Sequence, residues 1–181
     1  MKKLKAIGIG FLVVVLLGIG ATLHYFLPKH AVVVINGVEV KRMDAQGVIN
    51  SDNVADGPTR DVYFINAGEP DNSVDVSVFR NADTGFGFPW YFKFDSADVQ
   101  AKAQQLSKDS NQLALIQYYG WRIRLISAFP NLVSIEKTST RTEPFPVFNV
   151  VFLLVLFGLL GFAYWKIKTR LGKRQSNHPV Q

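Results

Sequence analysis

Covalent catalysis needs a nucleophile beside a base, and this chain offers few bases. It has three histidines, His24, His30 and His178, and no cysteine. His24 and His30 flank the end of a long apolar run, and His178 lies in a basic tail. No Ser/His/Asp set can be assembled in the middle of the chain without His30, which reads as a solvated residue beside the run. Zinc thiolate sites and disulfides are excluded by composition. Asp95 and Asp98 stand three apart, a spacing that suits the start of a helix better than a metal site. Gly85-x-Gly87 precedes aromatics instead of a helix, so it is no phosphate-binding turn. Neither a Walker loop nor an HExxH motif occurs. These features point to a non-catalytic protein without metal or cofactor.

Two features suit binding. In Gly85-Phe86-Gly87-Phe88-Pro89-Trp90-Tyr91-Phe92-Lys93-Phe94, six of ten residues are aromatic. The reading favoured by default is core, with Phe88, Tyr91 and Phe94 packing under the following helix, because aromatics dominate small cores. The sharper reading is an exposed platform of Phe86, Trp90 and Phe92, able to enter a lipid leaflet or stack on a sugar or protein. Arg122 and Arg124 alternate with Trp121, Ile123 and Leu125 along an expected strand. They read as a solvated sheet face, or as a site for phosphate or carboxylate.

Residues 6–27 carry no acidic or basic side chain except His24. As a helix they reach about 33 Å, enough to cross a bilayer core. The run is longer than a signal-peptide core and lacks a small-residue cleavage site, so an uncleaved anchor is expected. Residues 145–165 form a second span, opened by Pro144 and Pro146 and closed by Tyr164 and Trp165. Neither span contains an acid, lysine or arginine, which argues against an ion pathway.

The net charge of +6 is unevenly placed. All 14 acidic residues lie from Glu39 to Glu143, with twelve basic ones between Lys29 and Arg141, so the middle is −2. The other eight basic residues are Lys2, Lys3, Lys5, Lys166, Lys168, Arg170, Lys173 and Arg174. Positive ends outside two spans place both termini in the cytoplasm and residues 28–144 across the membrane. The basic excess is thus an orientation signal and not a nucleic-acid surface. The expected order is residues 1–5 cytoplasmic, span 6–27, domain 28–144, span 145–165 and a basic cytoplasmic tail 166–181.

The domain reads as α+β, mainly antiparallel, with about six short strands and one helix. A strand at 31–40 is broken by an Asn36-Gly37 hairpin turn. Residues 45–58 form a loop, and strands 61–66 and 74–80 form a hairpin. A helix capped by Asp95 or Ser96 runs to Leu106 with Val99, Ala103 and Leu106 on one face. Strands follow at 113–119, 121–126 and 132–136.

Four stretches carry a resemblance: Thr59-Arg60-Asp61-Val62, Tyr91-Phe92-Lys93-Phe94-Asp95-Ser96-Ala97-Asp98-Val99-Gln100-Ala101, Tyr119-Gly120-Trp121-Arg122-Ile123 and Phe129-Pro130-Asn131. Over residues 31–137 and the first span, the chain resembles a proteobacterial family of small membrane proteins known as a domain of unknown function. The resemblance implies a bacterial inner membrane and hence a periplasmic domain, and it brings no activity or ligand with it. The expected role is a membrane-anchored interaction or accessory protein whose periplasmic domain binds another envelope or membrane protein. The alternative is a lipid- or glycan-binding domain using residues 85–94, and an envelope enzyme ranks last for want of a base and nucleophile pair.

Overall fold

A computed structural model describes residues 2–44, 49, 57–70 and 72–176. The elements run α1 (Lys2–Phe26), β1 (Lys29–Met43), β2 (Arg60–Glu69), β3 (Asn72–Asn81), α2 (Ser96–Leu106), β4 (Leu113–Tyr119), β5 (Asn131–Thr138) and α3 (Val147–Ser176). The α+β class stands. Residues up to Pro144 form one compact unit, and those from Phe145 a second.

The strands close into a barrel in the order β1-β2-β3-β5-β4. All pairings are antiparallel except β3 with β5, which meet in parallel at Arg80 and Asn131. Five strands in that circular order, with a helix between β3 and β4, make the OB-type Greek-key barrel. Its long first strand is shared. Lys29 to Val34 pair with β4, and Val34 to Met43 pair with β2, so both neighbours meet the strand at Val34. The register shifts between Ile35 and Gly37. Asn36-Gly37 is therefore a bulge and not the expected hairpin turn. A strand that must leave one neighbour for another has to bend, and an extra residue at a glycine supplies the bend.

The interior is aliphatic. Val33, Ile35, Ile65, Ala67, Ala114, Ile116, Leu132 and Ile135 form its main cluster with Phe79, and Phe64 is buried outside that cluster. Helix α2 adds Val99 and Ala103, two of the three residues expected on its buried face, and Leu106 packs against the edge of the cluster. Burying one such aliphatic side chain contributes about 1.5–3 kcal/mol.

Two further expectations need correction. Residues 121–126 are not a strand. Trp121 and Arg122 are irregular, Ile123 makes an isolated bridge to Ala128, and Arg124–Ile126 form a 3₁₀ turn. Ser127, at φ 49°, reverses the chain there. The sheet thus has five strands where six were expected. Second, Asp95 occupies the N-cap position of α2 without a side-chain cap bond. Asp83 caps instead, accepting from Ser96 N at 2.9 Å and Ser96 Oγ at 2.8 Å. Asp98 is in the first turn as expected. The expected loop at 45–58 lies mostly outside the described residues.

Helix α1 begins at Lys2 and α3 continues to Ser176, so both outrun the expected spans, and the start of the basic tail is helical. Ile9–Phe26 and Val147–Thr169 are each long and apolar enough to cross a membrane, and neither stretch is buried in the protein.

Candidate functional site

Helix α1 ends against the barrel, and its orphan carbonyls are met by the domain. The last turn of any helix leaves C=O groups unpaired. Gly120 N–H donates to Tyr25 O at 2.8 Å, and Tyr91 Oη donates to Phe26 O at 2.6 Å. Trp121 Nε1 donates to His24 Nδ1 at 2.7 Å, and Lys29 Nζ reaches Gly120 O at 3.2 Å. Gly120 sits at φ +94°, a backbone conformation that L side chains rarely adopt, so glycine is favoured there.

Aromatic rings form a collar around this junction. Tyr91 stacks on Tyr119 with centroids 4.7 Å apart and planes 9° from parallel. Tyr25 meets Trp121 edge-on at 5.3 Å, and Phe26 meets Phe88 at 4.5 Å. Burial pushes the Tyr91 phenol well above the ordinary tyrosine range, with Tyr119 beside it acting in the same direction. The hydroxyl therefore remains a donor to Phe26 O at any physiological pH.

Beyond the collar, the loop of residues 82–95 carries its rings outward. Phe86 is 80% exposed, Trp90 68% and Phe92 56%. The default core reading fails here, since Phe88 and Phe94 are exposed too and only Tyr91 is half-buried. The strands and α2 already fill the interior. Phe86 groups with Phe94 at 4.9 Å and Phe92 at 6.3 Å, and Phe88 with Trp90 at 5.3 Å. Phe92 has φ 51°, a conformation that costs a bulky residue about 1–2 kcal/mol.

The loop's inward group is Lys93, only 4% exposed. Its ammonium donates to Asn81 Oδ1 and, at 2.6 Å, to Leu132 O. Asn81 in turn donates to Ser96 O and Gln100 Oε1. The loop is thus pinned to β3, β5 and α2. Desolvation brings the Lys93 pKa down to about 8, with Asp95 and Asp83 acting in the opposite direction. Thr84 N and Gly85 N both bond to Lys93 O, and Lys93 N bonds to Thr84 Oγ1. These bonds hold the strained Phe92 in place.

Where α1, β3, this loop, the end of β4 and the start of β5 meet lies a cavity of about 250 Å³. Tyr25, Arg80, Thr84, Tyr119, Phe88, Phe129 and Asn131 are among its lining residues. Among the described residues, no carboxylate forms an ion pair with Arg80, and its buried Nε has no hydrogen-bond partner. Burial and the neighbouring Arg60 both act to lower the Arg80 pKa. Asn131 is engaged by Ala82 N and O, and donates to Tyr119 Oη at 3.3 Å.

Arg122 and Arg124 do not share a strand face, because no strand exists there. Arg122 lies over the Phe129 ring at 4.0 Å and donates to Ala128 O at 2.9 Å, on the flank of the cavity. Arg124 is exposed in the 3₁₀ turn beside Leu125, which is 94% exposed. Sequence reasoning from spacing missed Arg80, Tyr25, Tyr119 and Lys93. Arg80 sits at the end of an alternating strand, where a charged residue reads as solvated. A signal was nonetheless present. The stretches that carry the family resemblance supply Tyr91, Lys93, Tyr119, Arg122, Phe129 and Asn131, and Arg60 lies close enough to act on Arg80.

Among the described residues, no group of three or more His, Asp or Glu is placed to hold a metal ion.

No solved structure matches the chain. An uncharacterized protein of Haemophilus influenzae is 44% identical over 141 residues, covering 77% of this chain and 79% of its own length. A family model described as a protein of unknown function, DUF1523, matches residues 4–171, which extends the resemblance through most of α3. The chain, with its barrel and both long helices, therefore belongs to the DUF1523 family of proteins of unknown function.

Proposed function

We propose that this protein is a membrane-anchored binding module of the bacterial inner membrane, with its barrel on the periplasmic face and seated on the lipid surface by residues 85–94. The observation that carries this reading is the place of the exposed rings. Phe88 packs on Phe26, the last residue of α1, so the aromatic surface begins where that apolar helix ends. A helix crossing the bilayer emerges into the interfacial zone, where tryptophan and other amphipathic rings are most stable. Exposed apolar patches beside an anchor mark a membrane or partner surface. The barrel supplies a rigid base for that surface. Basic residues outside both long helices support cytoplasmic ends.

A protein partner is the second reading, and Leu125 and Ile126 favour it. They stand out from the barrel on a tight turn, where a partner could cover them.

The chain has no cysteine, so single cysteines report placement cleanly. Lys102→Cys on α2 should react with a membrane-impermeant maleimide in spheroplasts, and Gln181→Cys only after lysis. The opposite pattern would invert the orientation. Phe86→Cys and Trp90→Cys should be slow to react in vesicles and fast in a partner-free, lipid-poor micelle. Equal, fast reaction in both would remove the lipid seat.

A further inference from the structure

We propose that the cavity beside the end of α1 is a phosphate site, with Arg80 as its principal cationic contact. The proposal deepens the membrane reading by naming a ligand chemistry for the same region. The phosphate could come from a phospholipid headgroup or from a soluble phosphate ester, and the chemistry of recognition is the same.

The cavity is rich in donors. Arg80 has a buried Nε without a partner and no ion pair to any described carboxylate. A guanidinium left in this state is strongly predisposed to take an oxyanion, which it can bind through two parallel N–H bonds. Tyr119 Oη accepts from Asn131 Nδ2, so its own proton remains to be given. Thr84 Oγ1 accepts from Lys93 N and likewise keeps its proton. Tyr25 Oη has no hydrogen-bond partner among the described residues and lines the same space.

Acceptors are scarce. Asp83 is the acid on the lining, and its two carboxylate oxygens already receive Ser96 N–H and O–H. Asn131 Oδ1 receives Ala82 N–H. Charge favours an anion as well. Arg60 is near enough to Arg80 to disfavour its charged form, a repulsion that a bound dianion would reverse. Arg122 adds a third guanidinium on the far side of Phe129.

Size and position fit an amphiphile. About 250 Å³ is several times the ~30 Å³ share of a water molecule, so a phosphate and part of its ester fit together. Phe88 lines the cavity and also packs on Phe26. The space therefore opens beside the helix end, where a headgroup would lie if α1 crosses the bilayer.

The test uses the full chain in an uncharged detergent, read by thermal melting. Inorganic phosphate is compared with chloride at equal ionic strength. Short-chain phosphatidic acid is compared with the diacylglycerol that lacks the phosphate. Either phosphate probe should raise Tm by several degrees at concentrations well above its Kd. A shift with inorganic phosphate points to a soluble source, and a shift with phosphatidic acid alone to a lipid. Arg80→Gln should abolish the shift. If Arg80→Gln does not fold, Tyr25→Phe serves, since its hydroxyl bonds to no described residue. It should weaken the apparent affinity by about tenfold. The proposal is overturned if neither probe raises Tm above its control. It is equally overturned if Arg80→Gln keeps the full shift, or if Tyr25→Phe binds as tightly as the parent. Micelles contain no bilayer, so the phosphate result stands apart from the seating of the barrel in vesicles.

Discussion

The barrel interior and the loop of residues 82–95 are both apolar, yet they are built from different residues. The interior is mostly valine, isoleucine, leucine and alanine, with Phe79 in the main cluster and Phe64 buried outside it. The loop carries Phe86, Phe88, Trp90, Phe92 and Phe94, all exposed. A water-soluble domain of this size would ordinarily bury such rings, because each removes ~150–250 Å² from water. Here the β-branched residues that suit a closely pleated barrel hold the core. The rings are kept outside by a buried lysine at the loop's root. The difference separates stability from surface. One region holds the fold together, and the other is free to meet something else.

Substitutions in the two regions should therefore behave in opposite ways. The largest effect is expected inside. Ile116→Ala empties a fully buried position and should cost ~2–5 kcal/mol, read from the denaturation midpoint. A loss below 1 kcal/mol would mean the barrel core is not packed as described.

The root of the loop should show itself through pH. The folded Lys93 pKa is near 8, below that of an unfolded lysine. Between about pH 8 and 10 the unfolded chain binds the extra proton, so stability should rise with pH. Tyr91, Tyr118 and Tyr119 have raised pKa values, so their contribution is intact below pH 10 and is lost above it. Melting curves across pH 7–11 should thus pass through a maximum near pH 10. Lys93→Met should remove the rising limb. A flat profile in the parent would show that the ammonium is not buried.

Smaller effects are expected on the outside. Phe92→Gly relieves a positive φ and should leave stability unchanged or raise it by up to ~1 kcal/mol. Trp90→Ala should change stability by less than ~0.5 kcal/mol, as exposed substitutions usually do. Thermal melting of the full chain measures both. A loss of several kcal/mol from either would move those rings into the core.

Most of the frame was legible because it rests on local pattern. Residues 6–27 and 145–165 announced α1 and α3 by length and lack of charge. Val99 and Ala103 announced the buried face of α2, and the strand-like runs at 61–66, 74–80, 113–119 and 132–136 located β2 to β5. What could not be read depends on long-range closure. Asn36-Gly37 has the composition of a hairpin turn, and only the need of β1 to serve two neighbours makes it a bulge. Trp121 to Ile126 alternate like a strand, but no neighbour is available to pair with them, and they form a bridge and a turn instead. The helix cap on Asp83 comes from outside the helix segment. The cavity draws residues from Tyr25 to Asn131, and no spacing rule joins positions so far apart. Phe86, Trp90 and Phe92 were identified by composition, and their exposure is a tertiary fact.

The most direct measurement concerns the depth of Trp90. The chain has three tryptophans, Trp90, Trp121 and Trp165. Trp121→Phe with Trp165→Phe leaves Trp90 as the single reporter, with circular dichroism to check the fold. The protein is reconstituted in vesicles of phospholipid brominated at defined acyl positions. Seating on the membrane surface predicts strong quenching by bromines near the headgroup, weaker quenching by deeper ones, and little quenching by aqueous iodide. Full quenching by iodide with none from any brominated lipid would contradict it.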